Sequence, residues 1–350
     1  MALGWAFIST GGHPDNNIAP ALKAAKDADL VAVYSRDKGR GEAFAEKHGA
    51  KAAYDSIDAL LSDSRVDAVF VSSPNNLHAQ HGLQSAAAGK HVLMEKPMTT
   101  TLEDAVALVN GCRDAGVKLG MGFMMRHHLG HAEAQQAAKK GALGRVTLAQ
   151  VQGGGGVRGQ ETPPPRTGLK AWWEDPQAMG GASSMMGTGV HLVDLLRFVL
   201  GQEITEVSAI TDGQTESQPL EQLVTMSMRF DGGALGVMCC GRVLPDNRND
   251  LTVYGIDGRI TGRATVGGAL QGKLEVVSET VNQTNVYPHN RHGTFTAMLE
   301  EFHQAIEEDR EPLASGLDGL RVVEATLAMI ESARHGRTVK ISPAPVPAGK

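Results

Sequence analysis

The decapeptide Ala88-Gly89-Lys90-His91-Val92-Leu93-Met94-Glu95-Lys96-Pro97 is the stretch around which the rest of the sequence can be interpreted. Gly89 ends a helix-like segment, and the apolar run that follows predicts a buried strand over 91–94. Lys96 comes directly after this strand and is fixed by Pro97. An ammonium group held at the carboxyl edge of a sheet can hydrogen-bond a substrate oxygen and exchange a proton with it, provided that burial lowers its pKa. Composition alone favours a surface lysine, so the interpretation depends on what surrounds it.

Short apolar runs and helix-like segments alternate through the first third of the chain. The predicted strands are 5–8, 30–34, 66–71, 91–94 and 117–123, and the predicted helices are about 18–26, 38–48, 77–88 and 101–115, the last capped by Thr100 or Thr101. This alternation predicts right-handed crossovers and a parallel, doubly wound sheet. Ligands bind such a sheet outside the carboxyl ends of its strands, where residues 9–13, 72–76 and 95–97 all fall.

The pattern changes after about residue 124. The predicted helices are then 132–140, 185–200, 295–308 and 316–334, and the predicted strands are 146–151, 204–211, 223–230, 234–240, 251–254 and 274–277, with a loop rich in Gly and Pro over 152–170. Turn residues between the strands indicate a mainly antiparallel sheet, and the long loop is typical of a binding loop or lid. We therefore expect one domain over 1–124, a second α/β domain over 125–340 and a Pro-rich tail over 341–350.

Composition excludes several classes of protein. The chain has 350 residues, 41% of them hydrophobic, and a formal net charge of −6, which suits a folded protein and argues against a nucleic-acid-binding surface. The three cysteines, Cys112, Cys239 and Cys240, form neither a disulfide framework nor a zinc-binding spacing. No signal peptide or transmembrane stretch is evident. We expect a cytoplasmic protein with no metal and no nucleic-acid or membrane partner.

The first predicted strand ends in the glycine-rich turn Ser9-Thr10-Gly11-Gly12-His13. A dinucleotide-binding fold needs glycines here, so that backbone N–H groups can approach a pyrophosphate at a helix N-terminus. The usual G-x-G-x-x-G spacing is absent, because Ser9 stands where the first glycine would be and the turn is longer. A plain strand-to-helix turn fits these residues equally well.

The end of the second predicted strand bears on the choice of cofactor. NAD enzymes usually place Asp or Glu there to bind the ribose hydroxyls, whereas a small polar residue beside an arginine admits a 2′-phosphate. Strand 30–34 runs into Ser35-Arg36, and Arg40 follows one turn later. A hydroxyl and guanidinium groups suit a dianionic phosphate, so these residues predict NADP(H). The alternative is that both arginines are solvated surface charges.

Three stretches together make the sequence similar to a known family. They are Ser73-Pro74-Asn75-Asn76-Leu77-His78, the decapeptide 88–97 and Gly189-Val190-His191-Leu192-Val193-Asp194, with Gly122-Phe123, Arg126, Leu143-Gly144-Arg145 and Gly180-Gly181 as further matches. Over nearly its whole length the chain resembles the glucose–fructose oxidoreductase/inositol dehydrogenase/MocA-like (Gfo/Idh/MocA) superfamily. Within it the chain looks most like NADP-dependent enzymes of the 1,5-anhydrofructose reductase type.

The resemblance implies a Rossmann domain followed by an α/β domain with a large open sheet. One face of that sheet would cover the nicotinamide, and the opposite face would form a homodimer or homotetramer. Lys96 and His191 would be catalytic, acting on a substrate hydroxyl or carbonyl. The expected cofactor contacts are Ser9, Thr10, Gly11, Gly12, His13, Ser35, Arg36, Arg40, Ser73, Pro74, Asn75, His78, Glu95, Lys96, Pro97 and Trp172, and the expected substrate contacts are Lys96, Arg126, Trp173, Asp194 and His191.

Two further positions depart from the family's pattern. Four residues before His191 the family commonly has Asp, and here that position is Gly187. The arginine that often follows the residue matching Trp172 is replaced by Trp173. Without the family's Asp at position 187, either standard sugar-alcohol oxidation is in doubt or another residue takes over the function of that carboxylate. The indole rings could stack on a sugar or on the nicotinamide, and ordinary packing is an equal alternative.

The complete sequence predicts an NADP(H)-dependent oxidoreductase that transfers a hydride between nicotinamide and a hydroxyl or carbonyl of a sugar-like substrate. One alternative is a non-catalytic NADP-binding sensor or partner protein. Another is an enzyme with permanently bound cofactor that performs elimination, epimerisation or glycoside cleavage. His191 has its own alternative as a satisfied core histidine, and Asp194 is expected to cap or pair structurally and not to react. Residues 289–292 could reach substrate, but an exposed loop fits them better.

Overall fold

Six parallel strands form the sheet of the N-terminal unit. In the computed structural model, which describes residues 2–346, they are β1 (Leu3–Ile8), β2 (Ala28–Tyr34), β3 (Ala52–Tyr54), β4 (Ala68–Val71), β5 (His91–Met94) and β6 (Leu119–Met121). Their order is β3-β2-β1-β4-β5-β6, and each neighbouring pair is parallel. β1 and β4 are buried over their full length, because helices cover both faces of a doubly wound sheet. The predicted parallel sheet is confirmed.

The strands of this unit are connected by helices. They are α1 (Ala19–Ala24), α2 (Lys38–His48), α3 (Ile57–Leu61), α4 (His78–Ala87) and α5 (Leu102–Asp114), with a π-helical turn at Pro14–Ile18 and a 3₁₀ turn at Asn75–Leu77. Thr101 caps α5, as predicted, by accepting a hydrogen bond from the N–H of Asp104. Gly49 ends α2 with a φ of 77°, in the left-handed conformation that glycine adopts without strain.

The C-terminal unit contains a sheet of nine strands within the described residues. They are β7 (Val146–Gly154), β8 (Ile204–Thr211), β9 (Leu223–Phe230), β10 (Leu235–Gly241), β11 (Leu251–Gly255), β12 (Gly258–Arg263), β13 (Leu270–Ser278), β14 (Asn282–Asn290) and β15 (Val339–Lys340). Their order is β14-β13-β12-β11-β7-β10-β9-β8-β15. β7 and β10 are parallel and their other neighbours are antiparallel, which confirms the predicted mainly antiparallel sheet.

Helices lie on one face of this sheet. α6 (Leu129–Lys139) packs on β12 to β14 and α8 (Val190–Leu200) packs on β7, and the short helix α7 (Pro176–Met179) precedes α8 along the chain. Along β9, Met226 and Met228 are buried, whereas Thr225, Ser227 and Arg229 between and beside them are exposed. Successive side chains of a strand point to opposite faces, so the face that carries Ser227 is open in residues 2–346.

Four elements of this part of the chain, β12, β14, β15 and the short helix α7, are absent from the sequence prediction. The residues of β14 are mostly polar and exposed on both faces. Such an edge strand lacks the apolar alternation that identifies a strand. His289 and Asn290, predicted in an exposed loop, are the last residues of β14, and His289 Nδ1 lies 2.8 Å from Oε1 of Gln271.

The two compact units are not continuous in sequence. The helices α9 (Gly293–Glu307) and α10 (Gly316–His335) follow β14. Within the described residues, the N-terminal unit comprises 2–123, 292–320 and 344–346, and the C-terminal unit comprises Met124–Arg291 and Arg321–Pro343. The sequence predicts one boundary at residue 124. The structure differs because α9, which lies far beyond that boundary in the sequence, belongs to the N-terminal unit.

The physical reason that α9 belongs to the N-terminal unit is aromatic packing. The Phe302 ring of α9 lies 5.7 Å from that of Trp5, and the Phe295 ring lies 5.5 Å from that of His13. The last four residues of the predicted tail, 347–350, lie outside the described residues. Within residues 2–346, none of the helices combines the length and apolar character that a membrane crossing requires.

Candidate functional site

Glu95 and Lys96 follow β5 at the carboxyl edge of the N-terminal sheet. The N–H of Glu95 donates to the carbonyl oxygen of Val71, which extends the ladder between β4 and β5 by one residue. One oxygen of the Glu95 carboxylate accepts a hydrogen bond from the N–H of Lys96 at 3.1 Å, and the other lies 3.0 Å from Nε2 of His13. The carboxylate therefore joins the backbone of the lysine to the first turn.

Gly122 provides the space that this carboxylate occupies. A Cβ atom at Gly122 would lie 2.9 Å from Oε1 of Glu95. Glu95 is buried, and a buried charge requires the hydrogen bonds it receives. Glu95 thus serves as the anchor of the segment that carries Lys96.

His78 holds Pro97, the residue that follows the lysine. Its Nδ1 lies 2.7 Å from the carbonyl oxygen of Pro97, and its Nε2 lies 2.8 Å from that of Ser73. Burial lowers the pKa of His78. The ring lies between the ends of β4 and β5, since Ser73 follows β4 and Pro97 follows β5, and a neutral imidazole donates a hydrogen bond to one of these two carbonyl oxygens. Asn75 is also buried, in the 3₁₀ turn between them.

Ser9 adopts the backbone conformation of the glycine that it replaces. Its φ is 133°, in the range that favours glycine. Its Oγ accepts a hydrogen bond from the N–H of Gly11 at 3.2 Å. The chain then continues through Gly12 and His13 into the π-helical turn before α1. The turn thus forms without the expected first glycine.

Thr10, Ser35 and Arg40 lie together at the end of β2. Arg40 Nε donates to Thr10 Oγ1 at 3.4 Å, and Ser35 Oγ accepts from the N–H of Asp37 at 3.3 Å. The Asp37 carboxylate caps α2 by accepting from the N–H of Arg40. Ser35 and Thr10 are buried, Arg40 is half-buried and Arg36 is exposed. The strand end therefore presents hydroxyl groups and guanidinium groups.

His191 lies near the start of α8 in the C-terminal unit, and it is buried. The π-helical turn Met185–Gly189 leads into it. The carboxylate of Glu221 anchors this turn by accepting hydrogen bonds from the N–H groups of Ser183 at 2.8 Å and Met185 at 2.7 Å. Burial raises the pKa of Glu221. Glu221 was not predicted, because a single Glu before a strand carries no motif.

Arg126 and Asp194, both predicted to contact substrate, form an ion pair with each other. Nε of Arg126 lies 2.9 Å from Oδ2 of Asp194, and Nη2 lies 2.6 Å from Oδ1. Arg197 lies 3.7 Å from the same carboxylate, and Phe198 packs under the Arg126 guanidinium at 5.2 Å. Such a bidentate pair is among the stronger hydrogen-bonded arrangements in proteins. The structure therefore brings these residues together as a buried pair.

The indole of Trp173 lies over Gly187. A Cβ atom at Gly187 would lie 3.3 Å from Cζ3 of Trp173. The Arg166 guanidinium lies 4.1 Å from the Trp173 ring, and the Trp172 ring lies 4.9 Å away. Both tryptophans are half-buried in the 3₁₀ segment Gly168–Glu174. Trp173 and Gly187, the two positions that depart from the family's pattern, are therefore in contact with each other.

The predicted site residues are divided between the two units. Lys96, its anchors Glu95 and His78, and the residues around the first turn belong to the N-terminal unit. His191 and the predicted substrate contacts after residue 124 belong to the C-terminal unit. Each group is assembled locally at strand ends, in loops or at the start of a helix.

Comparison with known proteins assigns both units to one family. Residues 3–123 match the oxidoreductase family with an NAD-binding Rossmann fold, and residues 136–341 match its C-terminal alpha/beta domain. The chain belongs to the Gfo/Idh/MocA oxidoreductase family. The resemblance drawn from the sequence motifs is thus confirmed.

Individual members of the Gfo/Idh/MocA family match along almost the whole chain. The chain is 31% identical to 1,5-anhydro-D-fructose reductase of Ensifer adhaerens over 96% of its own length and 98% of that protein. It is 28% identical to D-xylose 1-dehydrogenase (NADP(+)) 2 of Haloferax volcanii over 96% of its length and 99% of that protein. The structure of aldose-aldose oxidoreductase from Caulobacter crescentus, complexed with glycerol, superposes with a TM-score of 0.86 at 26% identity, covering 97% of this chain and all of that one.

Proposed function

We propose that this Gfo/Idh/MocA protein is an NADP(H)-dependent enzyme that transfers a hydride between nicotinamide and a hydroxyl or carbonyl of a sugar-like substrate. The observation that carries the proposal is the position of Lys96, directly after β5 and anchored through Glu95. Three relatives that match along almost the whole chain bear the names of sugar oxidoreductases, which supports the substrate class.

The residues at the strand ends fit a nicotinamide dinucleotide with a 2′-phosphate. A Cβ atom at Gly11 would meet only Ser9 Oγ within 4 Å, at 3.4 Å, so the turn leaves its backbone accessible to a pyrophosphate. Ser35, Arg36 and Arg40 would hold the 2′-phosphate. When bound, this cofactor supplies or accepts the hydride.

Lys96 and His191 are the residues that handle charge and protons in this proposal. In the reducing direction the Lys96 ammonium donates a hydrogen bond to the substrate oxygen as negative charge develops on it. Lys96 or His191 then supplies the proton. Glu95 and His78 do not react. They hold the backbone of the segment 95–97, so that the ammonium keeps one position.

Replacing Ser35 with Asp and Arg36 with Ala is expected to reverse a preference for NADPH into a preference for NADH. The new carboxylate would repel the 2′-phosphate and accept hydrogen bonds from the ribose hydroxyls. Each lost charge-assisted hydrogen bond weakens NADPH binding by about tenfold to hundredfold. Titration followed by nicotinamide fluorescence measures the Kd of both cofactors.

Two single variants serve as controls for this cofactor experiment. Arg40→Ala should weaken NADPH binding and leave NADH binding unchanged. Lys51→Ala removes an exposed charge from the same unit and should change neither Kd. Equal affinity of the unaltered protein for NADPH and NADH would contradict the role given to Ser35 and Arg36.

The open face of the C-terminal sheet supports assembly with a second copy of the chain. Leu235, Val237, Tyr254 and Ile210 are exposed apolar residues on this face. A patch of this kind on a sheet typically marks a protein–protein interface, and a homodimer would bury the same patch of both copies.

Val237→Glu is expected to convert the proposed oligomer into a monomer, because it places a charge near the middle of the sheet. Size-exclusion chromatography with light scattering gives the mass. Val157→Glu, in the exposed loop after β7, is the matched control and should leave the mass unchanged. A monomeric unaltered protein would rule out this assembly.

A further inference from the structure

Arg166 carries a charge that nothing in residues 2–346 neutralises directly. Its guanidinium lies 4.1 Å from the ring centroid of Trp173. Within the described residues it forms no ion pair, and its Nη1 is shielded from water and has no hydrogen-bond partner. Shielding a cation from water costs free energy unless an anion or hydrogen-bond acceptor compensates for it.

The charged groups around Arg166 add to the excess of positive charge at this position. Burial, with Arg242 as a second cause, lowers the pKa of Arg166 to about 10. The nearby carboxylate is that of Glu174, which accepts a hydrogen bond from the backbone N–H of Arg166 and lies 3.9 Å from Nη1 of Arg242. One carboxylate thus faces two guanidinium groups, and the group has a net positive charge.

A chain of contacts within the C-terminal unit connects Arg166 to His191. Arg166 stacks on Trp173, and Trp173 packs on Gly187. Gly187 precedes His191 by four residues, and the π-helical turn continues directly into α8. Residues at this spacing lie on the same side of a helix. An aspartate at position 187 would add a negative charge beside the indole, and glycine removes it.

We infer that Arg166 and Trp173 form a subsite that selects a substrate with an anionic group, a carboxylate or a phosphate, over a neutral sugar. The guanidinium offers a planar pair of N–H donors that matches either group. Trp173 keeps the guanidinium in place by stacking, and Gly187 admits both the indole and the negative charge of the substrate. This inference rests on the proposed function, because it names the substrate class of the same site.

The first test compares turnover of matched neutral and anionic sugars. Glucose, glucuronate and glucose 6-phosphate, together with the three galactose counterparts, are assayed by nicotinamide absorbance. We expect kcat/KM for one anionic type to exceed that for the neutral sugar by about tenfold or more. Comparison of the sugar acids with the sugar phosphates identifies whether a carboxylate or a phosphate is recognised. Preference for the neutral sugars would overturn the inference.

Arg166→Gln tests whether this residue causes the preference. The ratio of kcat/KM for the anionic sugar to that for the neutral sugar should fall by about tenfold to hundredfold. Lys170→Gln removes an exposed charge from the adjacent 3₁₀ segment Gly168–Glu174 and should leave the ratio unchanged. If Arg166→Gln lowers both values equally, Arg166 has a structural role and the inference is wrong.

Tryptophan fluorescence, titrated with the same sugars in the presence of NADP, separates this inference from the proposed function. Binding of anionic sugars that depends on Arg166, without turnover of any sugar, would support the subsite and refute the proposed activity. Turnover without preference for an anion would support the activity and overturn the subsite. Neither binding nor turnover would overturn both.

Discussion

Lys96→Ala is expected to abolish turnover, with a loss of kcat/KM of roughly 10³-fold or more. The variant lacks the ammonium that stabilises negative charge on the substrate oxygen, and it also lacks one of the two candidate proton donors, Lys96 and His191. Cofactor affinity should stay near normal, because the backbone around residue 96 is held by Glu95 and by the contact of His78 with Pro97. Nicotinamide absorbance measures turnover, and nicotinamide fluorescence measures cofactor binding.

The control for Lys96→Ala is Lys51→Ala, which removes an exposed lysine from the same unit and should leave turnover unchanged. His191→Asn then assigns the proton donor. A loss as large as that of Lys96→Ala indicates that His191 supplies the proton, and a much smaller loss indicates that Lys96 does so. A rate for Lys96→Ala near that of the unaltered protein would remove Lys96 from the mechanism.

Elements with strong local signals could be predicted from the sequence. α2 matches its predicted bounds because it begins after Asp37 and ends at Gly49, two residues that favour a cap and a stop. β5 and β9 match because apolar side chains dominate the first and alternate along the second. β14 could not be predicted, since it forms an edge with polar residues whose pairing with β13 fixes their conformation.

The sequence predicts only those residues of the candidate site whose position is set by the strand that they directly follow. Lys96 and Ser35 come directly after strands, so topology places them at the carboxyl edge of the sheet. The contact between Arg126 and Asp194 joins residues 68 positions apart, and each residue taken alone suggests a group that could face a substrate. The contact of Trp173 with Gly187 could not be predicted either, because no repeating pattern in the sequence indicates which loop residue packs on which residue of a helix.

Asp194→Asn is expected to destabilise the C-terminal unit by about 3–5 kcal/mol, because it removes the counter-charge of a buried arginine. The side chains of Arg126 and Asp194 are 6% and 1% exposed. Arg197 is also buried and lies 3.7 Å from the same carboxylate, but it keeps its pair with Glu203 at 2.6 Å, so the substitution takes the counter-charge mainly from Arg126. The midpoint of urea unfolding, followed by circular dichroism, measures the loss.

Two further variants distinguish a structural role of this pair from a substrate-binding role. Arg126→Met with Asp194→Leu removes both charges and should recover most of the stability, since apolar residues of similar volume often replace a buried ion pair without loss. Arg337→Gln breaks the exposed pair with Glu331 and should cost less than about 1 kcal/mol. If Asp194→Asn leaves the unfolding midpoint unchanged and raises KM, the pair binds substrate and does not hold the fold. If the double variant regains stability without activity, the charges serve the substrate as well as the fold.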